Sequence, residues 1–108
     1  MINRENNPHR RFVDPGDLVR FADELLIGAI GPGVRAVSTE VQGERVRWRC
    51  IFESYQAMKQ DRPPLEVIES RLQGIFYWHA RVDGEYLVMS KEEEMAHLGR
   101  LLFLRREV

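Results

Sequence analysis

The stretch from Ala36 to Phe52 alternates so regularly that it admits few ways of folding. Val37, Thr39 and Val41 interleave with Ala36, Ser38 and Glu40, and Val46, Trp48, Cys50 and Phe52 interleave with Arg45, Arg47, Arg49 and Ile51. Period-two alternation is the mark of a half-buried strand, and a glycine between two such runs marks a hairpin. A two-residue loop at Gln42-Gly43 pairs Val41 with Glu44, Thr39 with Val46 and Val37 with Trp48. Both apolar sets then share one face, with Glu40 opposite Arg45 on the other. A three-residue loop would mix the faces, because a slip of one residue turns a strand over.

The flanking segments supply helices. Asp14 before Pro15 is a cap followed by proline at the first helical position. Leu18, Phe21, Ala22, Leu25 and Ala29 follow at three- and four-residue steps, and Gly31-Pro32-Gly33 ends the run. A second helix is predicted from Pro63-Pro64, with Leu65, Ile68 and Leu72 inward and Gly74 as its stop. Residues 53–62 read as a loop or a helical turn. Ile75 to Val82 and Glu85 to Met89 then read as a second hairpin around Asp83-Gly84, a strong short hairpin signal. Ser90 and Glu93 have capping-box spacing for a short helix, and Leu101 to Leu104 read as a buried final strand. The expected fold is α+β: a mostly antiparallel five-stranded sheet with two main helices on one face. The order is helix, hairpin, helix, hairpin, short helix, strand. Residues 1–13 are assigned to a polar arm containing His9-Arg10-Arg11, and residues 14–108 to one domain.

The chain has 108 residues, 16 basic against 17 acidic, for a net charge of −1. At this length roughly two thirds of the extended-chain surface is buried on folding, which supports one core. The near-neutral balance argues against a strongly basic nucleic-acid binder and against an acidic disordered tail. The start of the chain lacks the apolar centre of a secretory signal, and no apolar run reaches transmembrane length. Together with a single cysteine, Cys50, this points to a reducing cytoplasm.

Chemistry-bearing motifs are sparse. His9, His79 and His97 lack metal-ligand spacing, so no metal or other cofactor is expected. Cys50 falls on the inward face of its strand, where a thiol is inert. Serines 38, 54, 70 and 90 lie outside a nucleophile elbow, and Gly28, Gly31 and Gly33 precede a strand, unlike the glycines of a phosphate loop. The chain is therefore read as a non-enzyme. Two charged sets remain. Arg45, Arg47 and Arg49 line one strand face, either as a stripe for phosphates or as a solvated face whose stems cover apolar surface. Asp83 and Glu85, with Glu92, Glu93 and Glu94, form a second set. It serves capping and solubility, or it docks a basic protein partner.

The segment Glu24-Leu25-Leu26-Ile27-Gly28-Ala29-Ile30-Gly31-Pro32-Gly33-Val34-Arg35-Ala36-Val37, followed by a hairpin ending Val46-Arg47-Trp48-Arg49-Cys50-Ile51-Phe52, resembles a family of small bacterial α+β proteins. In that family a Leu-Leu-x-Gly helix end leads through a proline-containing turn into Arg-Ala-Val and a hairpin. Some members resemble immunity proteins of contact-dependent growth inhibition and related polymorphic toxin systems. The resemblance covers about a third of the chain and carries over no functional residues. It implies a cytoplasmic protein that neutralises a cognate toxin domain by direct binding. Two alternatives stand beside it: an interaction or regulatory module that forms a homodimer through an edge strand, and a weak nucleic-acid binder using Arg45, Arg47 and Arg49.

Overall fold

A computed structural model describes residues 13–107. The arm assigned to residues 1–13 lies outside the described residues except for Val13, which is buried in the core. The first helix, α1 (Pro15–Leu26), starts as its sequence dictates. Asp14 holds an extended backbone, and its carboxylate accepts from the Gly16 N–H at 2.7 Å. Leu18, Ala22 and Leu26 are buried, with Phe21 and Leu25 packed at the margin. The helix ends earlier than Gly31-Pro32-Gly33, because Gly28 already takes a left-handed backbone with φ +76°. That conformation is open to glycine at little cost.

Strands β1 (Val34–Gln42) and β2 (Arg45–Phe52) form the expected antiparallel hairpin with an even loop. The register differs in detail. Val41 pairs with Val46, Thr39 with Trp48, Val37 with Cys50 and Glu40 with Arg47. The loop is thus Gly43-Glu44, where Gln42-Gly43 was predicted. Gly43 has φ +59° and Glu44 does not have a positive φ, as a turn with glycine at its first central position requires. The displacement is one residue on each strand, so the faces are unchanged.

The largest departure follows. Helix α2 (Tyr55–Phe76) is 22 residues long and contains Pro63 and Pro64 in its interior. Ser54 caps it, accepting from the Ala57 N–H at 3.0 Å. Each interior proline removes a backbone donor and costs about 3 kcal/mol of helix propensity. Burial overrides that cost: Ala57, Asp61, Leu65, Ile68, Leu72 and Phe76 form one buried stripe that runs unbroken past both prolines. The predicted start at Pro63-Pro64 is therefore corrected to Tyr55.

Nor does a second hairpin form. Asp83-Gly84 lies inside a single strand, β3 (Arg81–Val88), which pairs parallel with β2 from Arg45↔Arg81 to Phe52↔Val88. The physical reason is local to those two residues. Asp83 is held by Arg45 and Arg81, and the missing Gly84 side chain leaves room for the Glu69 carboxylate of α2. The predicted short helix after Ser90 is likewise absent: Glu93 N–H donates to the Ser90 carbonyl at 2.9 Å and closes a turn. The last strand, β4 (Arg100–Leu104), pairs antiparallel with β1. It is an edge strand with Leu101 and Leu104 exposed, and not the buried strand expected.

The architecture is therefore α+β with two helices and a four-stranded mixed sheet, order β3-β2-β1-β4, and the expected five-stranded sheet is corrected to it. Two of its three pairings are antiparallel, and β2–α2–β3 is a parallel crossover. Val37, Val46, Trp48, Cys50, Phe52 and Val82 pack against the two helices to form the core. By alternation, Ser38, Glu40, Arg45, Arg47, Arg49, Ile51, Asp83 and Glu85 occupy the opposite, outer face.

Candidate functional site

The basic stripe and two members of the acidic set singled out in the sequence, Asp83 and Glu85, converge on the outer face. The parallel register places Arg45, Arg47 and Arg49 beside Arg81, Asp83 and Glu85. Arg45 and Arg81 both bond Asp83. Arg47 reaches Glu85 at 2.8 Å and Glu40 at 3.7 Å, and Arg49 reaches Glu85 at 3.1 Å. The candidate basic stripe and two of the five candidate acidic residues thus form, with Arg81 and Glu40, one cross-strand ladder whose charges largely offset one another. The hydrogen bond from Arg47, with that from Arg49, holds the Glu85 carboxyl below the usual range against the opposing effect of burial. At Asp83 burial pulls upward, and the bonds and charges of Arg45 and Arg81 outweigh it. Surface pairs of this kind add little stability each, but they occupy charge that would otherwise face a partner.

The segment 89–99 crosses the same face as a strap. Its anchor is Arg35, a buried arginine only 3% exposed. Arg35 Nη1 donates to the carbonyls of Met89 at 2.8 Å, Ser90 at 2.7 Å and Glu93 at 3.3 Å. Its Nε and Nη2 make a two-pronged pair with Glu107 at 2.8 and 2.7 Å. A planar guanidinium meets these fixed acceptors at once, which a lysine ammonium could not do. Arg105 completes the clamp, bonding Glu53, the Pro32 carbonyl and Glu107. Further along, Arg49 donates to the Ala96 carbonyl, Leu98 N–H donates to Ser38 Oγ, and Gly99 N–H donates to Glu40. Buried Ala36, Ile51 and Leu98 lie outside the main core cluster, as a second apolar layer on this face.

The strap separates the acidic residues. Glu93 is tied to Ser90, accepting from its N–H at 3.0 Å and its hydroxyl at 3.2 Å. Glu92 and Glu94 stand exposed in the same segment. Asp83 and Glu85 belong to the ladder.

The remaining candidates have structural settings. Cys50 is fully buried, and burial pushes its thiol far above the usual range. His79 lies in the turn after α2, which corrects the strand predicted from Ile75 to Val82 at that position, and His97 lies in the strap. Among the described residues no group of His, Cys, Asp and Glu could hold a metal ion. No helix among them is long and apolar enough to cross a membrane. Of the aromatics, Trp48 is buried, while Tyr55, Tyr77 and Trp78 are exposed.

The sequence reading missed Arg35 and Asp61. Asp61 in α2 is buried and accepts from the Gly33 N–H at 2.8 Å, fixing the turn before β1. A Cβ on Gly31 would collide with that carboxylate, and one on Gly33 with Ala57 and Asp61. The glycines around Pro32 are there for close approach to α2. The signal for Asp61 in the sequence is a charged residue at an inward position of a helical stripe, and a helix that begins at Pro63 excludes it.

A two-helix, mixed-sheet α+β scaffold with one face packed and the other strapped and charge-paired is the class of protein that results. A family model described as MafI2 immunity protein matches residues 15–107, and the chain belongs to that family. It is thereby an immunity protein of a polymorphic toxin system, that of the MafB toxins, and proteins of this kind are typically non-catalytic. A search of the curated proteins finds no match.

Proposed function

We propose that the protein neutralises one cognate MafB-type toxin domain by binding it directly in the cytoplasm, without catalysis. The family match over residues 15–107 carries this reading. The fold is compatible with it. A rigid sheet stiffened by a buried-arginine clamp presents fixed backbone and side-chain positions, and tight protein inhibitors depend on such preorganisation. The outer-face arginines are engaged by Asp83, Glu85 and Glu40, which supports a protein partner over nucleic acid.

Of the acidic set Asp83, Glu85, Glu92, Glu93 and Glu94, the three strap residues are the proposed steering surface, since Asp83 and Glu85 are engaged by arginines. Glu92, Glu93 and Glu94 are all exposed on the strap, Glu93 being bonded to Ser90, and charge of this kind speeds encounter and filters partners.

The test is co-expression with MafB-type toxin domains in a sensitive bacterium, followed by gel filtration of the purified chain with each domain it protects against. Protection together with a stoichiometric complex is expected. Protection without any complex would replace direct binding with an indirect mechanism, and no protection would remove the immunity reading.

A further inference from the structure

The sheet has two edge strands, β3 and β4, and they differ where each begins. At β3, Gln73 of α2 reaches over the outer edge. It accepts from the Val82 N–H at 2.8 Å and donates to the Ala80 carbonyl at 3.1 Å, so a helix side chain covers the start of that edge and leaves Gly84 and Tyr86 beyond it. At β4 the described residues show no such cover. Arg105 N–H bonds the Arg35 carbonyl of β1 at 2.8 Å, so by alternation the neighbouring Leu104 turns its N–H and carbonyl outward.

The register also shifts between Val37↔Phe103 and Ser38↔Leu101, leaving Leu102 as the extra residue of a bulge. Leu104 pairs with Ala36 and Leu101 with Ser38, both on the outer face. The bulge therefore brings Leu101 and Leu104 onto that one face, where they are 40% and 51% exposed. On the helix side a hollow of about 190 Å³ lies between α1 and the β1–β4 pair, lined by Pro15, Leu18, Val19, Thr39, Val41 and Arg100 among others. The strand thus offers free backbone, two apolar side chains on one face and an apolar recess on the other.

Charge selects the occupant. Arg100 and Arg106 stand exposed at the two ends of β4, and neither makes an ion pair among the described residues. A second copy of β4 would bring four such arginines along a strand pair about 17 Å long, and like charges placed this close oppose association. An extended segment with apolar residues at its centre and carboxylates at its ends meets both requirements.

We propose that β4 is a strand-addition edge, and that its occupant is an extended, acid-flanked segment of the toxin domain. The inference rests on the immunity reading and names its contact surface. Strand addition draws affinity from main-chain hydrogen bonds and specificity from alternate side chains.

The experiment measures binding of the purified, catalytically silenced toxin domain to the full chain and to two variants. Leu104→Pro removes an outward N–H while sparing the ladder to β1, since edge strands tolerate proline there. R100E/R106E reverses the flanking charge on exposed side chains. A loss of at least a hundredfold for the first and tenfold for the second is expected, with unchanged melting temperature for R100E/R106E. Affinities within twofold of the parent for both variants would overturn the edge assignment while leaving the immunity reading standing. If the parent chain neither binds nor protects, the immunity reading itself fails. A parent chain that sediments as a dimer and becomes a monomer on Leu104→Pro would assign the edge to a second copy instead.

Discussion

Arg35 concentrates more of the structure than any other side chain described here. It is buried, its positive charge is matched by Glu107, and it gathers three carbonyls of the strap. Replacing it with alanine leaves those acceptors and a carboxylate without their donor. Leaving part-buried strap carbonyls without their donor costs about 1–3 kcal/mol, whereas Glu107, 29% exposed, regains water. Arg35→Ala should lose about that much in urea denaturation, and Arg35→Lys should recover only part, since an ammonium cannot serve both prongs. The pH dependence follows from the same pair. Hydrogen bonds from Arg35 and then Arg105 lower the Glu107 carboxyl from 4.5 to about 2. A carboxyl lowered in the folded state contributes stability above its unfolded value and loses it as pH falls through the folded value. Stability should therefore decline between about pH 4.5 and 2, and Glu107→Gln should make that decline shallower while lowering stability at pH 6. Glu53, Asp83 and Glu85 are shifted in the same direction and set the residual slope.

At the scale of elements, α2 contains the plainest internal conflict. Pro64 is exposed and interior to the helix, so it has no burial of its own to offset the donor it removes. Pro64→Ala should stabilise the protein by about 2 kcal/mol, the helix cost less the unfolded-chain entropy that proline removes, read as a rise of about 4–8 °C in the thermal midpoint per kcal/mol. A fall would show that the proline is needed where it stands. The same helix explains what could be read from the chain. The α1 cap and the faces of the β1–β2 hairpin were legible because Asp14-Pro15 and the alternation around Gly43 act within a few residues. The length of α2 and the fate of Asp83-Gly84 were not, because their causes lie far along the chain. The stripe from Ala57 to Phe76 is visible only once Asp61 is accepted as an inward residue. Asp83-Gly84 is a strand rather than a turn because Arg45 and Glu69 are its neighbours. The candidate site divided in the same way: its charged residues were identified, but their pairing with one another depended on a parallel register that local patterns do not encode.

For the whole molecule, the distribution of charge matters more than its near-zero sum. The ladder neutralises the centre of the outer face, while Glu92 and Glu94 on the strap remain exposed. Under the proposed function these residues act over distance. Glu92→Lys with Glu94→Lys should slow association with the toxin domain about tenfold at low salt, and the difference should vanish in about 0.5 M salt, as screening requires. Dissociation should change little. An equal effect at both salt concentrations would place these residues inside the contact instead of at its rim.

The parallel crossover also sets an order of events in time. Partners in the β1–β2 hairpin approach to Gln42↔Arg45, whereas β2 and β3 meet across 36 residues, as Arg49 and Glu85 do. Closing the longer loop waits on more lost chain entropy before any ladder bond repays it. The hairpin therefore belongs to the nucleus and β3 docks late. Refolding should slow when Val41 or Val46 is truncated, whereas truncating Val82 should chiefly hasten unfolding. β4, whose β1 partners lie farther still along the chain, from Thr39↔Arg100 to Ala36↔Leu104, closes later again, so both edges of the sheet would be lost before the central hairpin and regained after it.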